Sequence, residues 1–307
     1  MNMRVCEDRA STVADFVLDA SFWMPEHNLP SAWTGHAPFA FWLMSVMKPR
    51  SVVELGVHHG FSYLVFCQAV KKIGIDCVCS GIDTWRGDEH AGLYGGEIYN
   101  IMLELNRPYV ATSRLIRATF DEAQCQFADG SIDLLHIDGR HHYEDVRRDF
   151  EFWKPKLSNR AVVLFHDTND PGFGVGAFWA ELKRRYPHFE FMHAHGLGVL
   201  GVGSDLPVRL QQLFDLSDIA DVTQPVRQAY EHLGQSVIDR QQALQLADVV
   251  RSYQTSLSWR LTAPLRVANR VAKAIMARIS HRLRVTRGQI SERPSILANP
   301  AVRTAQS

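Results

Sequence analysis

Two short segments hold residues whose types and spacing suit chemistry. One is Asp138-Gly139-Arg140-His141-His142-Tyr143, at the end of the apolar run Ile132–Asp138 (IDLLHID); the other is His166-Asp167-Thr168, at the end of Ala161–Asp167 (AVVLFHD). Each run reads as a buried strand, so Asp138 and Asp167 fall at strand ends, where open α/β sheets bind their ligands. Two carboxylates there can share a hard divalent cation such as Mg²⁺. Such an ion would bind an acceptor hydroxyl, lower its pKa and orient it. His141, three residues past Asp138, ordinarily titrates close to neutral pH and suits a general base. The plainer alternative is structural: Asp138 caps the next helix, Asp167 bonds the following loop, and His141 is one of fourteen histidines.

These groups need a scaffold, and its pivot is Ser51–Gly60 (SVVELGVHHG). A Val-rich run closed by Glu54-x-Gly56-x-x-x-Gly60 describes a buried parallel strand and a tight glycine loop. A helix over residues 61–72 follows and offers its unpaired N–H groups to a ligand. Dinucleotide folds place a glycine where Glu54 stands, to admit a pyrophosphate. A carboxylate there suits a cation instead and argues against a nicotinamide-dependent oxidoreductase. Cys77–Asp83 (CVCSGID) reads as a second strand, followed by Thr84 and Trp85. Its terminal acid can accept both ribose hydroxyls of an adenosine or cap a turn. Arg114–Ala118 is a short third strand, leading through Thr119 into a helix over 121–127. The two chemistry-bearing strands are the fourth and fifth, and Phe189–His193 with Leu197–Val202 form a closing antiparallel hairpin. Helical patterns separate the earlier strands, which predicts a doubly wound, mostly parallel α/β sheet with helices on both faces.

Two of these segments carry a family resemblance. Glu54–Gly60 resembles motif I of the class I S-adenosylmethionine (SAM) methyltransferases. The longer stretch LLHIDGRHHYEDVRRDFEFWKPKLSNRAVVLFHDT resembles methyltransferase family 24, a group similar to macrocin-type sugar O-methyltransferases and cephalosporin-hydroxylase-like proteins. The likeness extends over about residues 36–204. It implies a seven-stranded Rossmann-like sheet and transfer of a methyl group to a hydroxyl. The acceptor it implies is a small molecule or a glycan, in surface polysaccharide or glycosylated natural product assembly. It implies that Glu54, Gly56, Gly60, Asp83, Thr84, Trp85, Thr119 and Asp138 hold SAM. By the same resemblance Asp138 and Asp167 hold Mg²⁺ or Mn²⁺, and His141 takes the hydroxyl proton. One position departs: relatives carry an acid immediately before the second Asp, where this chain has His166. A histidine is a softer ligand, better suited to Mn²⁺, Fe²⁺ or Zn²⁺; alternatively it points into the sheet and leaves Asn169 or water to fill in.

Composition bounds the rest. The chain has 307 residues and zero formal net charge, which argues against nucleic acid as a partner. Five scattered cysteines without a CxxC pair fit a reducing cytosol. No secretory leader is read at the N-terminus, and no apolar run approaches the ~20 residues of a membrane span. The expected division is an aromatic N-terminal cap over 1–50, a SAM-binding domain over 51–204, a helical basic extension over 205–293 and a disordered tail over 294–307. Within it, Phe22–Trp42 is dense in aromatics that could roof a pocket, although packing is the commoner use. The polar loop Arg86–Tyr99, with Asp88, His90 and Tyr94, is a candidate lid. Gln224–Leu257 reads as a long helix that pairs with another, as in a homo-oligomer. Residues 250–293 hold ten Lys or Arg and one acid, Glu292. From Pro264 a helix places Leu265, Ala268, Val271, Ile275, Ile279 and Leu283 on one face, with Arg266, Arg270, Lys273, Arg278, Arg282 and Arg284 mostly elsewhere. That pattern over 264–284 suits peripheral contact with the inner face of a membrane, or an acidic partner. SWRLTAPLR resembles tails of bacterial glycan-assembly proteins. A second reading follows: a catalytically inactive subunit tethering a glycan-assembly complex through these helices.

Overall fold

Alternation along the strands decides which side chains meet the site. The computed structural model describes residues 13–88, 92–217 and 220–290. Seven strands form the main sheet: β1 (Ser51–Leu55), β2 (Val78–Asp83), β3 (Ser113–Arg117), β4 (Ile132–Ile137), β5 (Leu157–His166), β6 (His188–Phe191) and β7 (Leu197–Gly201). Their order is β3-β2-β1-β4-β5-β7-β6. β1 to β5 run parallel, and β7 lies antiparallel to both β5 and β6. This is the doubly wound sheet with a terminal hairpin that the sequence predicts, and its order is that of the class I methyltransferase fold. It reverses between β1 and β4, opening the crevice where such sheets bind ligands.

Successive residues point to opposite faces. Val53, Leu55, Leu135, Ile137, Val163 and Phe165 pack on one face. They meet α4 (Phe120–Gln124), α5 (Tyr143–Trp153) and α6 (Val175–Leu182) through residues such as Phe150, Trp153 and Phe178. Val52, Leu134, Val162 and Leu164 face the other way, toward α1 (Ala37–Met47) and α2 (Phe61–Ile73). Helix α1 is buried on nearly every side, including Phe39, Phe41 and Trp42. The N-terminal aromatics are therefore mostly core, and Trp33 among them lines a cavity.

The candidate lid contains a two-residue ribbon, Gly87–Asp88 against Gly92–Leu93. Helix α3 (Glu97–Asn106) follows, and His90 lies outside the described residues. The described residues up to Leu244 make one compact unit and those from Gln245 a second. The first unit thus runs past the expected division at 204. Helix α7 (Val208–Asp215) and the start of α8 (Ala220–Thr255) pack on the sheet domain, burying Leu210, Leu213, Val226, Tyr230 and Val237. The second unit holds the end of α8, then α9 (Leu257–Leu261) and α10 (Ala263–Ile290). The expected tail 294–307 lies outside the described residues. No described helix is long and apolar enough to cross a membrane.

Candidate active site

Two cavities open at the carboxyl edge of the sheet, and their linings share Gly56, His58 and Asp138. The larger, about 540 Å³, is walled by Asp83, Thr84, Tyr94, Thr119, Phe120, Gly139 and Arg140. The other, about 390 Å³, is walled by Trp33, His59, Gly60, Phe61, His141, His166, Asp167, Asp170, Phe173 and His195.

Local backbone geometry explains the shared wall. Gly56 sits at φ 93°, and a Cβ there would lie 2.0 Å from the carbonyl oxygen of Asp138. The end of β1 is thus pressed onto the end of β4 in a way only glycine allows. Gly60, at φ 84°, starts α2 directly. Asp83 sets the loop between them. Its Oδ2 accepts the N–H of Val57 (2.9 Å) and of His58 (2.8 Å), and its Oδ1 accepts the N–H of Trp85 (2.6 Å). The carboxylate of Asp83 thus caps the loop and also lines the larger cavity.

Two expected cofactor residues stand elsewhere. Glu54 is fully buried and lines neither cavity. Being one residue from Val53 and Leu55, it faces the α2 layer, where it accepts from Ser62 Oγ (2.7 Å) and lies 3.3 Å from Nδ1 of His136, its register partner on β4. Burial raises its carboxyl pKa, against the opposing pull of His136 and Ser62. Glu54 therefore supports the loop from below and faces neither cavity. Trp85 is also buried, at φ 47°, donating from Nε1 to the His58 carbonyl (3.1 Å) and packing on Tyr99. Gly56, Gly60, Asp83, Thr84, Thr119 and Asp138 do line the cavities.

The residues foreseen for metal and base converge. His141 Nε2 lies 3.0 Å from Asp167 Oδ2 and 3.8 Å from Asp138 Oδ1. His166 Nδ1 lies 3.2 Å from Asp167 Oδ2 and 3.4 Å from Asp138 Oδ1. The opposite nitrogen of His166, Nε2, is 3.1 Å from the Ala194 carbonyl. That bond requires the proton on Nε2 and turns Nδ1 toward the carboxylates, as orienting partners do for metal-bound histidines. The alternative in which His166 points away into the sheet is not what the structure shows.

Electrostatics follow from this packing. Burial would push both histidines down, but Asp138 and Asp167 outweigh it and hold His141 up at about 9 and His166 at about 10. For Asp138 burial pulls upward, and His166 and His141 hold it well below the usual carboxylate range; Asp167 is lowered in the same way. Without an ion, two imidazolium groups balance two carboxylates. The four histidine-to-carboxylate distances run from 3.0 to 3.8 Å, and neighbouring ligands of one ion at ~2.1 Å stand roughly 3 Å apart. Asp138, Asp167 and His166 suit a divalent ion, and the nitrogen of His166 favours Mn²⁺, Fe²⁺ or Zn²⁺ over Mg²⁺.

Sequence reading missed several wall residues. Phe173 stacks on the His141 ring (4.2 Å, 17°), whereas Tyr94, already named in the candidate lid, stacks on His58 (5.4 Å, 23°). Asp170 and His195 join Asp167 across the β6–β7 turn. That turn is clasped to the end of β5 by the Asp167 N–H to the Gly196 carbonyl (3.0 Å) and the Asn169 N–H to the His195 carbonyl (2.9 Å). Asp167, Ala194 and His195 all have positive φ (62°, 47° and 67°), an unfavourable conformation for such residues that tends to gather at functional sites. His58 and His59 stand inside the glycine motif, which was the one local signal available. Asp170 and His195 had none, because only the hairpin topology brings them together.

With this geometry in place, the family comparison is specific. Residues 53–168 match the family 24 model described as a methyltransferase domain, and this segment of the chain is a methyltransferase domain of that family. An uncharacterized protein of Sinorhizobium fredii is 51% identical over 199 residues, covering 64% of this chain and 22% of that protein. The chain thus spans about a fifth of the length of the curated relative it matches. Among solved structures, the Streptomyces achromogenes O-methyltransferase involved in tomaymycin synthesis, in complex with SAM, is 14% identical, covering 66% of this chain and 91% of its own, at a TM-score of 0.43. A SAH-bound Podospora anserina methyltransferase is also 14% identical, covering 66% and 96%, at a TM-score of 0.42.

Proposed function

We propose that the protein is a SAM-dependent O-methyltransferase acting on a hydroxyl of a sugar or glycan. The observation that carries this reading is Asp138, which lines both cavities. A donor in the larger cavity and an acceptor in the other would meet at that residue, so the transfer needs mainly positioning.

Asp83, Thr84, Thr119, Gly56 and Gly60 suit the nucleoside and amino-acid parts of SAM, which supplies an electrophilic methyl group. Phe120 and Tyr94 offer aromatic faces to the adenine. Asp138, Asp167 and His166 would hold a divalent ion, which supplies Lewis acidity toward the acceptor hydroxyl. His141 is then the base. With its pKa near 9 in the ion-free protein it is already protonated at neutral pH. It must lose that proton before it can take one, and neutralising Asp138 and Asp167 removes what holds it. Trp33, Phe61 and Phe173 give the acceptor cavity apolar faces beside this charged corner, a combination suited to a sugar ring.

The decisive experiment is calorimetric titration of SAM into the full-length protein, with Mn²⁺ or Mg²⁺ and again with EDTA. Micromolar binding in both establishes the cofactor and leads to acceptor screening. No binding in either removes the assignment and moves the tethering-subunit reading forward.

The partner surfaces belong to the same proposal. Leu246, Val250, Tyr253 and Leu257, spaced four, three and four apart, are exposed along α8 and α9, a stripe suited to a second copy of the chain. On α10, Leu265, Val271, Ile275, Met276 and Ile279 are exposed on one side, with Arg266, Arg270 and Lys273 on another. This suits peripheral contact with anionic lipid through residues 264–284, from the cytoplasmic side. Deleting residues 251–307 should abolish liposome cosedimentation; unchanged binding would remove the membrane role.

A further inference from the structure

The acceptor cavity has a second donor set that the proposed chemistry does not use. Asp170 Oδ2 and His195 Nδ1 are 2.9 Å apart. With Asp167 they offer three ligand atoms within 4.8 Å of one another. Asp167 also belongs to the first set, with Asp138, His141 and His166. Both sets line the same cavity of about 390 Å³. Thr168, next in the chain to Asp167, is only 7% exposed, and its Oγ1 has no hydrogen-bond partner. That oxygen stands 2.7 Å from where a Cβ on Gly196 would lie, next in the chain to His195. A buried hydroxyl without a partner is costly.

We infer that the protein binds a second divalent transition-metal ion at Asp170 and His195, bridged to the first through Asp167. The chemistry of the donors argues for this. A carboxylate and an imidazole 2.9 Å apart match neighbouring ligands of one ion, and a mixed nitrogen and oxygen set favours Mn²⁺ or Zn²⁺ over Mg²⁺ or Ca²⁺. His195 is about half exposed and Asp170 less so, so the position is open to solvent from the acceptor side. A carboxylate shared between two ions is the usual bridge of two-metal sites, which clamp two oxygens of one substrate. The inference rests on the first metal site of the proposed function, because Asp167 is common to both.

The test is metal stoichiometry on the full-length protein, measured by equilibrium dialysis against Mn²⁺ alone with elemental analysis, and by electron paramagnetic resonance of the loaded sample. Two Mn²⁺ per chain with a spin-coupled spectrum are expected for the wild type. One Mn²⁺ with an uncoupled six-line spectrum is expected for Asp170→Asn and for His195→Gln, both with wild-type circular dichroism. One Mn²⁺ per chain in the wild type, unchanged in both variants, overturns the second site and leaves the first standing. No Mn²⁺ in the wild type overturns both, and the two failures are thereby distinct.

Discussion

The two cavities that meet at Asp138 are built on opposite principles. On the donor side the key carboxylate, Asp83, is bound by three backbone N–H groups, two of them from the glycine loop. Its charge is spent on holding the loop's shape, and the wall is set before any ligand arrives. On the acceptor side Asp138, Asp167, His141 and His166 are satisfied mainly by one another. Their protons can be exchanged for an ion, so that wall is poised to change state. The same residue type is thus structural on one side and reactive on the other, according to whether backbone N–H groups or ionisable side chains surround it.

The comparison can be broken by substitution. The largest effect is expected at Asp138. Asp138→Asn should lower methyl transfer by roughly 10³-fold or more, with the midpoint of thermal unfolding moved little; a rate within tenfold of wild type would refute its place at the meeting point of the cavities. His141→Gln should cost about 10²–10⁴-fold in kcat while leaving SAM affinity within about twofold, measured by calorimetry. A parallel loss of SAM affinity would mean that His141 serves the donor side instead. Asp83→Ala should behave in the opposite way. It strands three N–H groups, so unfolding is expected to become easier by about 2–3 kcal/mol and SAM binding to weaken at least tenfold. A variant of normal stability would show that the loop does not depend on that carboxylate.

The smallest effect sharpens the point with a carboxylate that has neither kind of partner. Asp149 on α5 is pushed up to about 7, by burial first and then by Asp145 and Asp121, against Arg148. Its folded pKa lies above the unfolded value near 3.9. The folded state therefore keeps a proton that the unfolded state releases, and stability is lost as pH rises from about 4 to 7. Asp149→Asn should leave the melting temperature unchanged at pH 4 and raise it by several degrees at pH 8, on the order of 1–3 kcal/mol. Equal gains at both pH values would show that the effect is packing and not ionisation.

Legibility in the sequence followed how local each signal was. The strands, the glycine loop and the terminal hairpin were readable because buried parallel strands are continuous apolar runs and tight loops need glycine. Helix α10 was readable from spacing alone, because its apolar and basic residues recur at helical intervals. Asp138, His141 and Asp167 were readable as strand-end residues, and the fold brings them together. The length of the sheet domain was not readable: α7 and the first part of α8 carry polar sequences whose apolar stripes acquire meaning only against the sheet.

What the amino-acid sequence determined by itself was therefore the strands of the sheet and the placing of acids and histidines at strand ends, because these depend on periodicity and on single backbone requirements. Which way each side chain faces was left to tertiary structure. Glu54 stands two residues from the loop's first glycine, yet strand parity turns it beneath the loop, against His136. His166 could have faced either way until the Ala194 carbonyl fixed its Nε2 proton. Asp170 and His195 are far apart in sequence and become neighbours only when the β6–β7 turn folds over the end of β5. Local patterns specify elements, but the direction of a charge in the site is set by contacts that close only in three dimensions.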